Sequence, residues 1–265
     1  MIASVNDFKN VFFIGVAGTG MSAIAQYLSG TGKNVSGSDR YFQPGVFNET
    51  RDKLEAVGIS CFLQNGEGIT GQTELVVVST AIEDTVPEVQ KARQLAIPVM
   101  KRSELLALIA KSKKTIAVGG TSGKSTTSAM LFDILEKAGM QPSIISGAGL
   151  VSIIKENKLG NAKVGSGEWL VIEADESDGS IVQYTPEVGL LLNVDKDHQE
   201  IDELMDIFGT FRSNTKELFV VNRSNVLASK LSVNAKQDFS IDEKPGAGYI
   251  ATNFNQQGMH ITFTI

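Results

Sequence analysis

The chain has 265 residues, 42% of them hydrophobic and 20% charged, with six prolines and no low-complexity run; this supports a sizeable core, most naturally in two domains, and excludes a disordered or fibrous chain. A net charge of -6 argues against nucleic acid or an anionic membrane as partner, since both require a positive surface. Nucleotides stay open, because backbone N–H groups, one lysine and a metal are enough to hold phosphates.

Taken in chain order, short β-rich runs alternate with helical stretches. Residues 10–16 form an apolar strand ending in glycine, and 20–32 read as a helix stopped by glycines. Residues 33–39 give a second strand, 47–58 a helix with Gly58 as its stop, and 74–80 a buried strand. A helix opened by Pro87 spans 87–96 and is followed by a strand at 97–100. After a helix over 103–113, where the domain boundary falls, a second α/β unit begins. It has strands at 114–120, 168–175, 188–195 and 216–222 and helices at 123–139 and 201–214. The tail, 248–265, reads as a hairpin turning around residues 255–258. Strands that are continuously apolar rather than alternating predict parallel sheets with helices on both faces, an α/β fold.

The single cysteine, Cys61, lies in an apolar stretch and reads as a buried thiol in a reducing compartment. No secretory leader pattern opens the chain, and no apolar run approaches the roughly 20 residues of a membrane span. A cytoplasmic location is therefore expected.

Four segments carry chemistry. The first is GTSGKST, Gly120 to Thr126, between a strand and a helix. Glycines let the backbone curl around a phosphate, a lysine reaches its outer oxygens and a hydroxyl ligates Mg²⁺; Gly123, Lys124 and Ser125 supply these at a helix N-terminus. The strict phosphate-loop spacing is not met, since Val118 stands where its first glycine belongs. The second is GVAGTGM, Gly15 to Met21, with Ala17 in place of the second glycine of the dinucleotide pattern. Read alone it suits a dinucleotide turn with Asp39 on a ribose hydroxyl, another diphosphate, or a tight turn without ligand. The third is EADESDGS, Glu173 to Ser180, at the end of a buried strand where a metal needs carboxylate oxygen. The fourth is NVDKDH, Asn193 to His198, also past a buried strand. The other histidine, His260, reads as plain surface, and Trp169 as packing.

In this order and spacing, FFIGVAGTGMSAIA, VSGSD, VVVSTAIEDTVPEV, GGTSGKSTT, EADESDGS and NVDKDH resemble the Mur ligases over nearly the whole chain. The N-terminal half is most similar to the branch that joins L-alanine to UDP-N-acetylmuramic acid. The resemblance implies a Rossmann-like UDP-sugar domain over 1–106 and a P-loop-type ATP-binding central domain over 107–265. Gly15, Gly18, Thr19, Gly20 and Met21 would lie at the diphosphate, and Ser38, Asp39, Ser79 and Ala81 near the uridine. Gly120, Thr121, Ser122, Gly123, Lys124, Ser125 and Thr126 would hold ATP. Ser125, Glu173 and His198 would bind Mg²⁺ or a second metal, with Lys124, Glu173 and His198 as the catalytic set and Asn193 in support.

The implied reaction is ATP-dependent amide formation through an acyl phosphate, in peptidoglycan precursor synthesis. The resemblance also implies a chain cut short in its central domain, without the family's third domain and its amino-acid-binding residues. Two departures from the family stand out: Ala17 for glycine, and Ser122 where the alanine-adding branch commonly has histidine. The competing readings are a silent UDP-sugar or ATP-binding fragment, the related ligase that adds a tripeptide to the same sugar nucleotide, and an NAD-dependent oxidoreductase.

Overall fold

A computed structural model describes residues 2–177, 179–196, 200–242 and 246–265. Its first elements are β1 (Asn10–Ile14), α1 (Thr19–Gly30), β2 (Asn34–Asp39), α2 (Glu49–Ala56), β3 (Ser60–Leu63), β4 (Leu75–Val78), α3 (Pro87–Gln94), β5 (Val99–Lys101) and α4 (Arg102–Lys111). There follow β6 (Lys114–Gly119), α5 (Lys124–Lys137), β7 (Ser143–Ile145), α6 (Val151–Ile154), β8 (Ala162–Lys163) and β9 (Trp169–Glu173). The last are β10 (Val188–Leu191), α7 (Ile201–Asn214), β11 (Leu218–Val221), α8 (Val226–Ser229), β12 (Phe239–Ser240), β13 (Tyr249–Ile250), β14 (Thr252–Gln257) and β15 (His260–Thr264).

By compactness the chain divides into two units, Met1–Lys113 with Ala129–Val171, and Lys114–Ser128 with Ile172–Ile265. In the first, five parallel strands run in the order β3-β2-β1-β4-β5. The chain moves outward from β1 on one side and then crosses to β4 on the other. The loop after β1 therefore lies at the point where the winding reverses, the place where open α/β sheets bind ligands. Phe12, Ile14, Val76, Val89 and Ala92 form a buried cluster beneath α3. Asn48 caps α2 by accepting the Arg51 N–H, and Pro87 opens α3. The same unit holds the strand order β9-β7-β8 and a second cluster of Phe132, Ile144, Leu150, Ile153 and Val171.

The division into units falls within β9. In the second unit the order is β11-β10-β6-β9, with β6 parallel to β10 and β10 parallel to β11. On α7, Phe208 and Phe211 are fully buried, and Phe211 meets Phe219 edge to face at 5.7 Å. Gly119, the last residue of β6, is closely packed: a Cβ there would lie 3.2 Å from Ile181 and 3.3 Å from Phe211. The parallel α/β class is thus as the apolar runs predict, and the terminal hairpin is present as β14 and β15.

Some features depart from expectation. β3, β7, β8 and β12 and the short helices α6 and α8 have no counterpart among the elements the sequence predicts; each has at most four residues, too few to display a period. Cys61, in β3, is half-buried rather than fully buried, yet burial pushes its thiol up to about 12, with Glu55 adding to the effect.

Candidate functional site

In the second unit the loop after β6 and the ends of β9 and β10 come together. Gly120 has φ 140°, and a Cβ there would lie 3.1 Å from the Leu192 Cβ and 3.2 Å from the Asn193 N, so only glycine fits. Gly123 follows at φ 84° and turns the chain into α5. Lys124, Ser125 and Thr126 then occupy the first turn, whose N–H groups lack intrahelical acceptors and suit an anion.

Asn193 fastens this loop. Its Oδ1 accepts from the Thr121 hydroxyl at 2.8 Å and the Ser122 N–H at 2.9 Å, while its Nδ2 donates to the Ser122 carbonyl at 3.0 Å. The Thr121 hydroxyl in turn accepts the Asp195 N–H at 3.1 Å. Ser122 is exposed and shapes the loop through its backbone.

The acids after β9 divide their roles. Glu173 Oε2 accepts from the Ser125 hydroxyl at 2.8 Å. Asp175 Oδ1 takes the Ser177 N–H and hydroxyl, a local turn. Glu176, which the sequence reading did not single out, grips the Lys124 ammonium with both oxygens at 2.9 and 3.0 Å. That ammonium also donates to the Gly120 carbonyl at 2.7 Å. Glu176 is one member of a carboxylate run in the sequence; only the fold reveals which of them the lysine meets.

Among the described residues, no group of three or more His, Cys, Asp or Glu side chains could hold a metal alone. Ser125 and Glu173 nevertheless bring two hard oxygens to one point. That suits Mg²⁺, which takes one or two protein oxygens and completes its shell with phosphate and water. His198 lies outside the described residues.

In the first unit three strand-end loops converge. The Gly15 and Val16 N–H groups donate to the Ser38 carbonyl at 2.7 and 3.0 Å, and Ile82 of the Ser79–Ile82 turn lies against Gly15. Asp39, 4% exposed, accepts the Ala17 N–H through one oxygen at 2.9 Å and the Tyr41 N–H through the other at 3.0 Å. It holds two loops in place. Ala17 is absent from the residues with positive φ, so its methyl adds no backbone strain. Gly18 caps α1; Thr19 is exposed, and Met21 is buried in the core. Ser38 Oγ is fully buried, and Ser79 and Ala81 flank the turn after β4.

Two residues here lie beyond the sequence reading. Arg102 lays its guanidinium over Gly20, whose Cβ would stand 3.1 Å from Nη1. Asn161, 3% exposed, donates to the Thr19 carbonyl at 2.8 Å and the Ser22 hydroxyl at 2.9 Å, and accepts from Gln26 at 2.7 Å. It pins the first turn of α1.

Residues 10–114 match the model described as Mur ligase family, catalytic domain, and residues 118–264 match the Mur ligase middle domain. The UDP-N-acetylmuramate–L-alanine ligase of Carboxydothermus hydrogenoformans is 38% identical over 96% of this chain and 54% of its own length. That of Pelotomaculum thermopropionicum is 40% identical over 79% of this chain and 44% of its own. The chain spans about half the length of the curated relatives it matches. Among solved structures, the UDP-N-acetylmuramate–alanine ligase of Thermotoga maritima superposes with TM-score 0.78 at 26% identity, covering 92% of this chain and 55% of that one. A murein peptide ligase of Psychrobacter arcticus shares the fold, with TM-score 0.80 at 21% identity over 97% of this chain and 58% of that one. With both family models matched in sequence order across the two glycine loops, the chain belongs to the Mur ligase family.

Proposed function

We propose that this chain carries the sugar-nucleotide and ATP-phosphate sites of a ligase that joins L-alanine to UDP-N-acetylmuramic acid in peptidoglycan synthesis. The observation that carries the proposal is the convergence of Lys124, Ser125, Glu173 and Asn193 on one glycine loop at a helix N-terminus. The similarity to ligases of that name supports the choice of substrates. Residues 1–106 would form the UDP-sugar domain, with Gly15, Gly18, Thr19, Gly20 and the backbone of Met21 at the diphosphate and Ser38, Asp39, Ser79 and Ala81 around the uridine. Residues 107–265 would form the ATP domain, working in the cytoplasm.

In this reading the sugar's carboxylate attacks the γ-phosphorus of ATP and the bond to the bridging oxygen breaks, which gives an acyl phosphate and releases ADP. The amine of L-alanine then attacks the acyl carbon, loses a proton and displaces inorganic phosphate to form the amide. Phosphoryl transfer of this kind is mostly positioning and charge neutralisation. Lys124 neutralises the outer phosphate oxygens, the N–H groups of residues 123–126 orient them, and Asn193 keeps the loop in shape. Ser125 and Glu173 would hold Mg²⁺, with His198 at a second metal; the ion supplies further neutralisation of phosphate charge.

Among the alternatives, a nicotinamide dinucleotide would use the loop after β1 with Asp39 on its ribose, and would leave the Lys124, Ser125 and Glu173 arrangement at the second loop unexplained. Calorimetric titration with Mg²⁺-ATP tests the phosphate site. Saturable binding is expected, together with a loss of at least tenfold in affinity for Lys124→Ala. Equal affinity of the two proteins would refute the role given to Lys124.

A further inference from the structure

The ammonium of Lys124 has three N–H donors, and three acceptors surround it: the Gly120 carbonyl and the two oxygens of Glu176. Its side chain is 18% exposed and that of Glu176 6%, so the pair is largely removed from water. A lysine in this state has its hydrogen-bonding capacity filled. The polyphosphate of a nucleotide approaching the loop meets both an occupied cation and a buried carboxylate of its own sign.

We propose that Glu176 is a positioning residue and a yielding counter-ion. It holds Lys124 down over Gly120 before nucleotide binds, and surrenders the ammonium to the phosphates when they arrive. This rests on the reading of residues 120–126 as the ATP-phosphate site. Glu176 is suited to the part by its place in the chain. It sits three residues beyond Glu173, where β9 has ended and the backbone enters a turn closed by the Gly179 N–H to its own carbonyl. The Glu173 carboxylate meets Ser125 instead, so the two acids divide the loop's cation and hydroxyl between them. A buried pair of this kind is poor evidence of stabilisation, because desolvation offsets much of the attraction. A phosphate site gains from it in another way: the lysine is kept from wandering, and the affinity for nucleotide is set by a competition.

The inference predicts a gain on removing the competitor. Glu176→Gln keeps size and one acceptor but removes the charge. Mg²⁺-ATP affinity, measured by calorimetry on the full chain, should rise about tenfold, equivalent to about 1.4 kcal/mol. Affinity for UDP-N-acetylmuramic acid should not change. Thermal melting supplies a second readout: the free variant should melt below the wild type, yet gain more from saturating Mg²⁺-ATP than the wild type does. Glu176→Asp keeps the charge and should bind ATP no tighter than wild type. If Glu176→Gln binds ATP equally or more weakly while the wild type binds normally, the counter-ion role is wrong and the phosphate site stands. If neither protein binds ATP, both readings fall. Binding by Glu176→Gln alone would support the competition in its strongest form.

Discussion

Asn193→Ala is the perturbation that bears most directly on how the phosphate loop is held. The side chain makes three hydrogen bonds to Thr121 and Ser122 at 2.8, 2.9 and 3.0 Å. At about 1 kcal/mol net for each, their sum is about 3 kcal/mol. Asn193 is half-buried, so water replaces part of this, and about 1–2 kcal/mol of loop order should be lost. That free energy falls on the loop's folded geometry and is drawn from phosphate binding, which predicts a five- to thirtyfold loss of Mg²⁺-ATP affinity, following roughly 1.4 kcal/mol per tenfold. UDP-N-acetylmuramic acid should bind as in wild type. Asn193→Asp sharpens the test: it keeps one acceptor but turns an oxygen toward the Ser122 carbonyl, so it should be no better than alanine. Calorimetry with each ligand in turn reads both effects. An Asn193→Ala protein with undiminished ATP affinity would refute the claim that this side chain shapes the site.

Three further predictions follow from the geometry. Gly120→Ala places a methyl 3.1 Å from Leu192 at φ 140°, so about 1–3 kcal/mol of strain and loss of ATP binding are expected. Gly45→Ala, at φ 72° in open space, should leave ATP binding intact; similar losses in both variants would count against the loop argument. Asp39→Ala orphans the Ala17 and Tyr41 N–H groups and should lower UDP-N-acetylmuramic acid affinity while sparing ATP, as separate titrations would reveal; a reversed pattern would contradict its assignment. Cys61, its thiol raised to about 12 by burial, should be almost wholly protonated at pH 8. Iodoacetamide should therefore label it slowly in the native protein and quickly in urea, and rapid native labelling would show that burial does not protect it.

Elements with a strong local signal were legible in the sequence. The amphipathic run 201–214 is α7 to the residue, because its buried Leu204, Phe208 and Phe211 repeat at helical spacing between acidic and basic ends. The strand–glycine–helix context of the two loops was legible for a similar reason, since its residues lie close together in the chain. β3 and β7 were not, because three or four residues cannot show a period and their hydrogen bonds come from distant strands. The same limit governs side-chain pairs. Glu176 lies 52 residues from Lys124, and Asn161 lies 142 from Thr19, so no spacing rule connects them. Arg102 was visible only as the start of a helix; that it covers Gly20 depends on how α4 packs beside α1.

The proposed function puts a sugar-nucleotide site at the loop after β1 and an ATP-phosphate site at the loop after β6. No helix among the described residues is long and apolar enough to cross a membrane. The most direct measurement is calorimetric titration of the folded chain with UDP-N-acetylmuramic acid, with NAD run beside it. The expected result is saturable binding of the sugar nucleotide and none of NAD. Silence toward UDP-N-acetylmuramic acid, or binding of NAD in its place, would contradict it.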